Sequence, residues 1–234
     1  MSEPARILGV YIEPAKAFAD IVARPQRWFV PMILVILSAM VLIYCFSQRV
    51  GWEQMMKKQF ETNTQLQNLP ADQREQAMAR GTKFAGVISY VGAAVGIPVV
   101  TLIVAGVMLL VMNSMMGAQV NFVQSLAIVA YSYLTGLVTS ALAIVVMYIK
   151  NPEDFDLQNP LAFNGGAFLA SDAPKWLTAL AGSFDLFTFW TMALMATGYA
   201  ATTRKLKWSK AFTGVAMMWV VWVVVKTGWA AFRG

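Results

Sequence analysis

Residues 122–149 read FVQSLAIVAYSYLTGLVTSALAIVVMYI, a run without one charged side chain. A bilayer's hydrocarbon core is about 30 Å thick and takes roughly 20 helical residues to cross. This run is long enough to do so, and it is too apolar for a helix that must present one face to water. Working outward from it, four further runs of similar character occupy residues 28–47, 84–112, 184–203 and 212–229. The pattern predicts an all-α protein, an integral membrane bundle of five transmembrane helices with short interfacial amphipathic helices, forming one membrane domain over residues 1–234. Residues 48–83 and 150–183 become the two longer linkers.

Composition agrees. The chain is 58% hydrophobic and 13% charged, against roughly 45–50% and 25% for a soluble domain. Its net charge of +6 does not point to nucleic acid, because the basic residues stand at the ends of apolar runs and line no polar face. They read as orientation signals. Arg6, Lys16, Arg24 and Arg27 precede the first run, and Arg204, Lys205, Lys207 and Lys210 join the fourth to the fifth. With five crossings these two segments share a side, which is expected to be cytoplasmic, with the C-terminus outside. The segment 150–183 supports this with only Lys150 and Lys175 against Glu153, Asp154, Asp156 and Asp172.

No cleavable signal peptide is expected in residues 1–27, where a short apolar core and a small-residue cleavage site are missing. Pro14 and Pro25 punctuate a short helix between them. Phe18, Ile21 and Val22 fall on one side of it, and Lys16, Asp20 and Arg24, four apart, fall on the other. Lying in the headgroup plane as an amphipathic helix is the favoured reading; packing of the apolar side against the bundle is the alternative. In the linkers, Trp52, Met55, Met56 and Phe60 predict a helix, residues 63–70 a break, and 72–80 a second helix running into the second span. Asp172-Ala173-Pro174 reads as a helix start, with Trp176, Leu177 and Leu180 giving that helix an apolar face.

Chemistry is most notable for what the chain lacks. It has no histidine and one cysteine, Cys45, so no familiar catalytic triad or zinc site can be assembled. No phosphate-cradling glycine loop is present. The expectation is a non-enzymatic protein without metal or cofactor. The residues that call for explanation are structural ones. Gly92 and Gly96 form a small-xxx-small motif that lets another backbone approach, and Pro98 should kink the helix that carries them. Gln124, Tyr131, Thr135 and Thr139 recur along one side of the third run, with Ser125, Ser132, Gly136 and Ser140 adjoining. Such a stripe forms interhelical hydrogen bonds or lines a hydrated groove. Asp185 opens the fourth run, where it can accept free backbone N–H groups or meet a lipid headgroup, an ion or Lys226, which can equally snorkel.

The stretch Ser183-Phe184-Asp185-Leu186-Phe187-Thr188-Phe189-Trp190, followed by Gly198 and a basic turn to Lys210, is the most specific part of a resemblance that covers nearly the whole chain. With the entry from Glu13-Pro14 to Pro25, and Leu69-Pro70 in the first linker, it is similar to the Yip family of Ypt/Rab-interacting membrane proteins, in its bacterial branch. The resemblance implies five transmembrane helices, a cytosolic N-terminus, and Asp185, Thr188 and Trp190 as residues of interest. Eukaryotic members are associated with vesicle trafficking and Rab-type GTPases. This sequence departs from them in having no long region before the first span, which makes a GTPase partner doubtful. The lipid bilayer, a second copy of the chain or another membrane protein are the partners expected, in a bacterial inner membrane. Two functions stay open: a scaffold or adaptor in membrane organisation, and a small transporter, channel or lipid-translocating protein using the polar stripe.

Overall fold

The computed structural model describes residues 1–62, 66, 68–157, 159–170 and 173–233. Asn63, Thr64, Gln65 and Gln67 of the expected linker break, and Asp172 of the expected helix start, lie outside the described residues. Within them the chain is helical and has no β-strand. The elements are α1 (Glu3–Ile12), α2 (Pro14–Ala23), a 3-10 turn (Pro25–Arg27), α3 (Phe29–Arg49), α4 (Trp52–Thr62), α5 (Ala71–Val91), a π turn (Gly92–Gly96), α6 (Ile97–Ser114), α7 (Phe122–Ser132), α8 (Thr135–Ile149), α9 (Lys175–Ala181), α10 (Leu186–Ala200) and α11 (Trp208–Arg233).

Among the described residues four helices are long and apolar enough to cross a membrane: Pro25–Arg49, Ala71–Ser114, Phe122–Ile149 and Trp208–Phe232. They coincide with four of the five apolar runs. The fourth run, 184–203, forms α10, whose 15 residues extend roughly 22 Å at the α-helical rise. By length alone α10 does not reach across a 30 Å core.

The chain divides into two compact units, one of residues 1–35, 98–135 and 162–234, the other of 36–97 and 136–161. In the first, α2 sets its apolar side into a core made with α7 and α10. Ala17, Phe18 and Ile21 are wholly buried, as are Ala127, Ile128 and Val129 of α7 and Ala196 and Tyr199 of α10. The apolar side of α2 is thus taken by protein, which is the packed alternative of the two raised by its pattern. Amphipathic periodicity says which side of a helix avoids water, and protein and lipid satisfy it equally. α11 lies along α10 and α9, with Trp219 meeting Phe184 edge-on at 5.3 Å between ring centres.

The second unit is built on Phe46, Met147 and Phe155, all buried, with the Trp52 ring tilted against that of Phe46 at 5.1 Å between centres. Gly51, at φ +86°, lets the chain reverse between α3 and α4. α4 then lies on α5, where the indole nitrogen of Trp52 would stand 3.1 Å from a Cβ placed on Gly86. Lys58 ties this pair to the second linker by donating to the carbonyl of Glu153 at 2.7 Å.

Two helices carry local breaks. The π turn at Gly92–Gly96 immediately precedes Pro98, where a proline ring would otherwise press on the carbonyl of Ala94. Between Ser132 and Thr135 the third run turns at Tyr133 and Leu134. There Ser132 and Thr135 donate back to the carbonyls of Ile128 and Ser132, a habit of hydroxyl side chains that bends helices.

Candidate functional site

The polar stripe of α7 and the N-terminal hairpin of α1 and α2 form one assembly within the first unit. Gln124 begins it. The Asn121 side chain accepts from the Gln124 backbone N–H at 2.9 Å while the Gln124 side-chain oxygen Oε1 accepts from the Asn121 backbone N–H at 3.1 Å, a reciprocal cap that starts α7. The Gln124 amide then donates to the carbonyl of Val22 at 3.2 Å, satisfying an acceptor in the last turn of α2.

Deeper along α7, Ser125 is fully buried and donates to the carbonyl of Ala105 at 2.6 Å. Its one hydrogen is thereby used, so the 2.6 Å contact with Tyr199 has the tyrosine hydroxyl as donor. Tyr131 donates to the Glu3 carboxylate, and Thr135 shares a 2.7 Å hydrogen bond with Thr191 of α10. Tyr11 donates to the carbonyl of Leu134 at 2.6 Å, an acceptor exposed by the turn in the third run. Its ring lies 5.9 Å from that of Trp190, and burial pushes the Tyr11 phenol up to about 12. These contacts run in register: Val22 meets Gln124, Phe18 and Ile128 both close on Gly198, and Tyr11 meets Leu134.

The hairpin is itself closed by charge. Asp20 accepts from the Met1 amino group at 2.9 Å, from Arg6 Nε at 2.7 Å and from Arg24. The amino group, then Arg6 and Arg24, hold its carboxyl well below the usual carboxylate range against a partial burial that opposes them. Arg6 is buried and also donates to the carbonyls of Arg24 and Asp20. Lys16, expected to pair along α2, turns to Glu13 at 3.1 Å. Gly9 permits the close approach of the two helices, since a Cβ there would meet that of Ala17 at 3.1 Å.

Asp185 caps α10, accepting from the Thr188 N–H at 2.9 Å and the Thr188 hydroxyl at 3.3 Å. Lys226 does not reach it and donates to Ser183 Oγ at 3.3 Å. Around Asp185 the backbone of Asn164 forms a small bridge, with Leu186 N–H donating to Phe163 and Gly165 N–H to Phe184. Trp190 stands between Tyr11 and Phe187. Thr139, Gly92 and Gly96 belong to the second unit. A Cβ on either glycine would meet nothing within 4 Å, so among the described residues no segment uses that small-xxx-small motif, and Pro98 lies just past it.

Sequence reading passed over Glu3 and Tyr11 and took Arg6 only as an orientation signal. Glu3 and Arg6 stand three apart at the head of a helix, a pairing pattern that is too common to single out. Only the pairing of α1 with α2 gives them meaning. Among the described residues no group of three or more carboxylate, cysteine or histidine side chains stands together to hold a metal ion.

The family model of the Yip1 domain matches residues 8–230. No curated protein and no solved structure matches the chain.

Proposed function

The chain belongs to the Yip1 domain family, a family of non-catalytic membrane proteins, and from that premise we propose that it is a non-enzymatic scaffold or adaptor in membrane organisation. One observation carries the reading. The polar side chains of α7 in the first unit spend their hydrogen bonds on the protein itself: Gln124 on Val22, Ser125 on Ala105 and Tyr199, Tyr131 on Glu3, Ser132 on Ile128. Thr135 at the head of α8 meets Thr191 in the same way. A substrate path needs polar groups that can exchange partners with a passing solute. Here all but Ser132, which bonds back within α7, serve as glue between segments of the protein.

The proposed topology has five crossings in a bacterial inner membrane, with the N-terminus cytoplasmic and the C-terminus outside. α10 makes the fourth crossing with help from the turns before and after it. A short crossing is accommodated by local thinning of the bilayer or by snorkelling of flanking residues. Lys226 and the basic turn 204–210 are placed to do the latter. Partners on this reading are the bilayer and a second copy of the chain or another membrane protein.

A cysteine scan of residues 122–149 in a Cys45→Ala background tests it with a membrane-impermeant, water-soluble thiol reagent. Unlabelled cysteines at positions 128, 131, 135 and 139 are expected. Labelling at these positions would transfer the assignment to a hydrated path and a transporter. Reagent access to cysteines placed at residues 2 and 233 from opposite sides of sealed vesicles is the expected result for five crossings; access from one side only would sink that count.

A further inference from the structure

The 3-10 turn between α2 and α3 closes a cavity of about 290 Å³ that the scaffold reading leaves unused. Ser2, Glu3, Arg6, Arg24, Gln26 and Arg27 line it. Three guanidinium groups face two carboxylates, Glu3 and Asp20, and the N-terminal amine adds a further positive charge. Asp20 is committed to the amine, Arg6 and Arg24. Glu3 takes the Tyr131 hydroxyl and stands off from the guanidinium groups, 3.6 Å from Arg6 and 3.9 Å from Arg27. The side chains of Arg24 and Arg27 are 61% and 63% exposed. The cavity therefore holds more positive than negative charge on two largely exposed guanidinium groups, Arg24, which is paired with Asp20, and Arg27, which stands 3.9 Å from Glu3.

Its position selects the ligand. Arg27 directly precedes Trp28 and Phe29, which pack edge to face at 6.2 Å at the entrance to the first long apolar helix. Aromatic residues collect at the level of lipid headgroups, and basic pockets beside membrane helices take anionic headgroups. A planar guanidinium fork matches two phosphate oxygens at once. Arg6 is held by Asp20 and by the carbonyl of Arg24, so it offers a fixed floor, while the exposed guanidinium groups of Arg24, itself paired with Asp20, and of Arg27 supply the outer contacts.

We propose that this cavity binds the phosphate of an anionic phospholipid headgroup, with Arg24 and Arg27 as its principal contacts. The proposal is independent of the scaffold reading. A zwitterionic lipid carries the same phosphate, but its ammonium group would add to an already positive site, so selectivity for net negative lipids follows.

The test uses the full chain in mild detergent with an equal mixture of dioleoylphosphatidylglycerol and dioleoylphosphatidylcholine, reading retained lipid by native mass spectrometry. The parent protein should retain phosphatidylglycerol preferentially, and the Arg24→Gln/Arg27→Gln double variant should lose that preference by roughly thirtyfold. The charge-matched Lys205→Gln/Lys207→Gln variant should keep it. Equal losses in both variants, or no loss in the first, would overturn the proposal. Arg27→Gln alone does not touch Asp20; should the double variant fail to fold, this single change must still lower retention about fivefold, and unchanged retention overturns the site. Millimolar inorganic phosphate distinguishes the sources. Failure to displace phosphatidylglycerol supports the lipid headgroup, whereas displacement that the double variant abolishes overturns that source in favour of free phosphate.

Discussion

A Cβ placed on Gly198 would lie 2.9 Å from Cδ1 of Phe18 and 2.5 Å from Cγ2 of Ile128. At this one point α2, α7 and α10 come together because a residue of α10 has no side chain. Gly198→Ala should therefore destabilise the protein by about 1–3 kcal/mol through overpacking. Gly106→Ala and Gly228→Ala, where an added Cβ meets nothing within 4 Å, should be near neutral. Thermal unfolding of the three variants in the same detergent checks the contrast.

The Tyr199, Ser125 and Ala105 relay predicts an asymmetry. Ser125→Ala removes the acceptor of a buried tyrosine hydroxyl and leaves it unsatisfied, which costs about 1–3 kcal/mol. Tyr199→Phe removes a donor whose partner still holds the Ala105 carbonyl, and should cost about 1 kcal/mol or less. Chemical denaturation in mixed micelles should rank Ser125→Ala below Tyr199→Phe in stability.

Tyr131 and Tyr11 moor the hairpin through separate acceptors, the Glu3 carboxylate and the Leu134 carbonyl. Replacing either by Phe should raise amide hydrogen exchange across residues 3–23 while leaving α11 protected. The double replacement should act about additively, because the two bonds share no atom. Exchange spreading equally over both helices would show that the hairpin is not a separate cooperative piece.

Asp20 gives the hairpin a defined response to acid. Its carboxyl is held below the usual range, so the stability it supplies is present in full above the ordinary carboxylate value of about 4. It is lost as pH falls through the lower folded value. Hydrogen-exchange protection of residues 3–23, corrected for intrinsic rates, should be flat from neutral pH down to about 5 and fall only in strong acid. Asp20→Asn should show reduced protection at every pH in that range.

Much of this architecture is written in the order of residues. The apolar runs announce the long helices, and Pro14 and Pro25 bound α2 where the structure has it, Pro14–Ala23. What the sequence conceals is who covers each apolar side. The pattern of Phe18, Ile21 and Val22 is identical for a helix resting on lipid and one buried beside Ile128, and only the absence of a side chain at Gly198, far along the chain, separates the two. The hidden part of the polar assembly has the same cause. Tyr131 is visible as a polar group in an apolar run, but its partner Glu3 lies 128 positions away, beyond any periodicity. The turn at Tyr133 and Leu134 leaves a weak mark because hydroxyl residues in a membrane helix bend it in some settings and merely bond back in others.

The seat of the N-terminal hairpin has a consequence for how the protein is made. Residues 1–24 leave the ribosome well before the groups that receive them, Gln124 to Leu134 and Trp190 to Tyr199. At bacterial-to-eukaryotic elongation rates of about 5–20 residues per second, roughly ten to thirty-five seconds pass before Tyr199 follows Arg24. For that interval Phe18, Ile21 and Val22 lack the cover that α7 and α10 give them. The hairpin is made before the helices that house it, so the membrane surface or a chaperone must shelter it until α10 arrives.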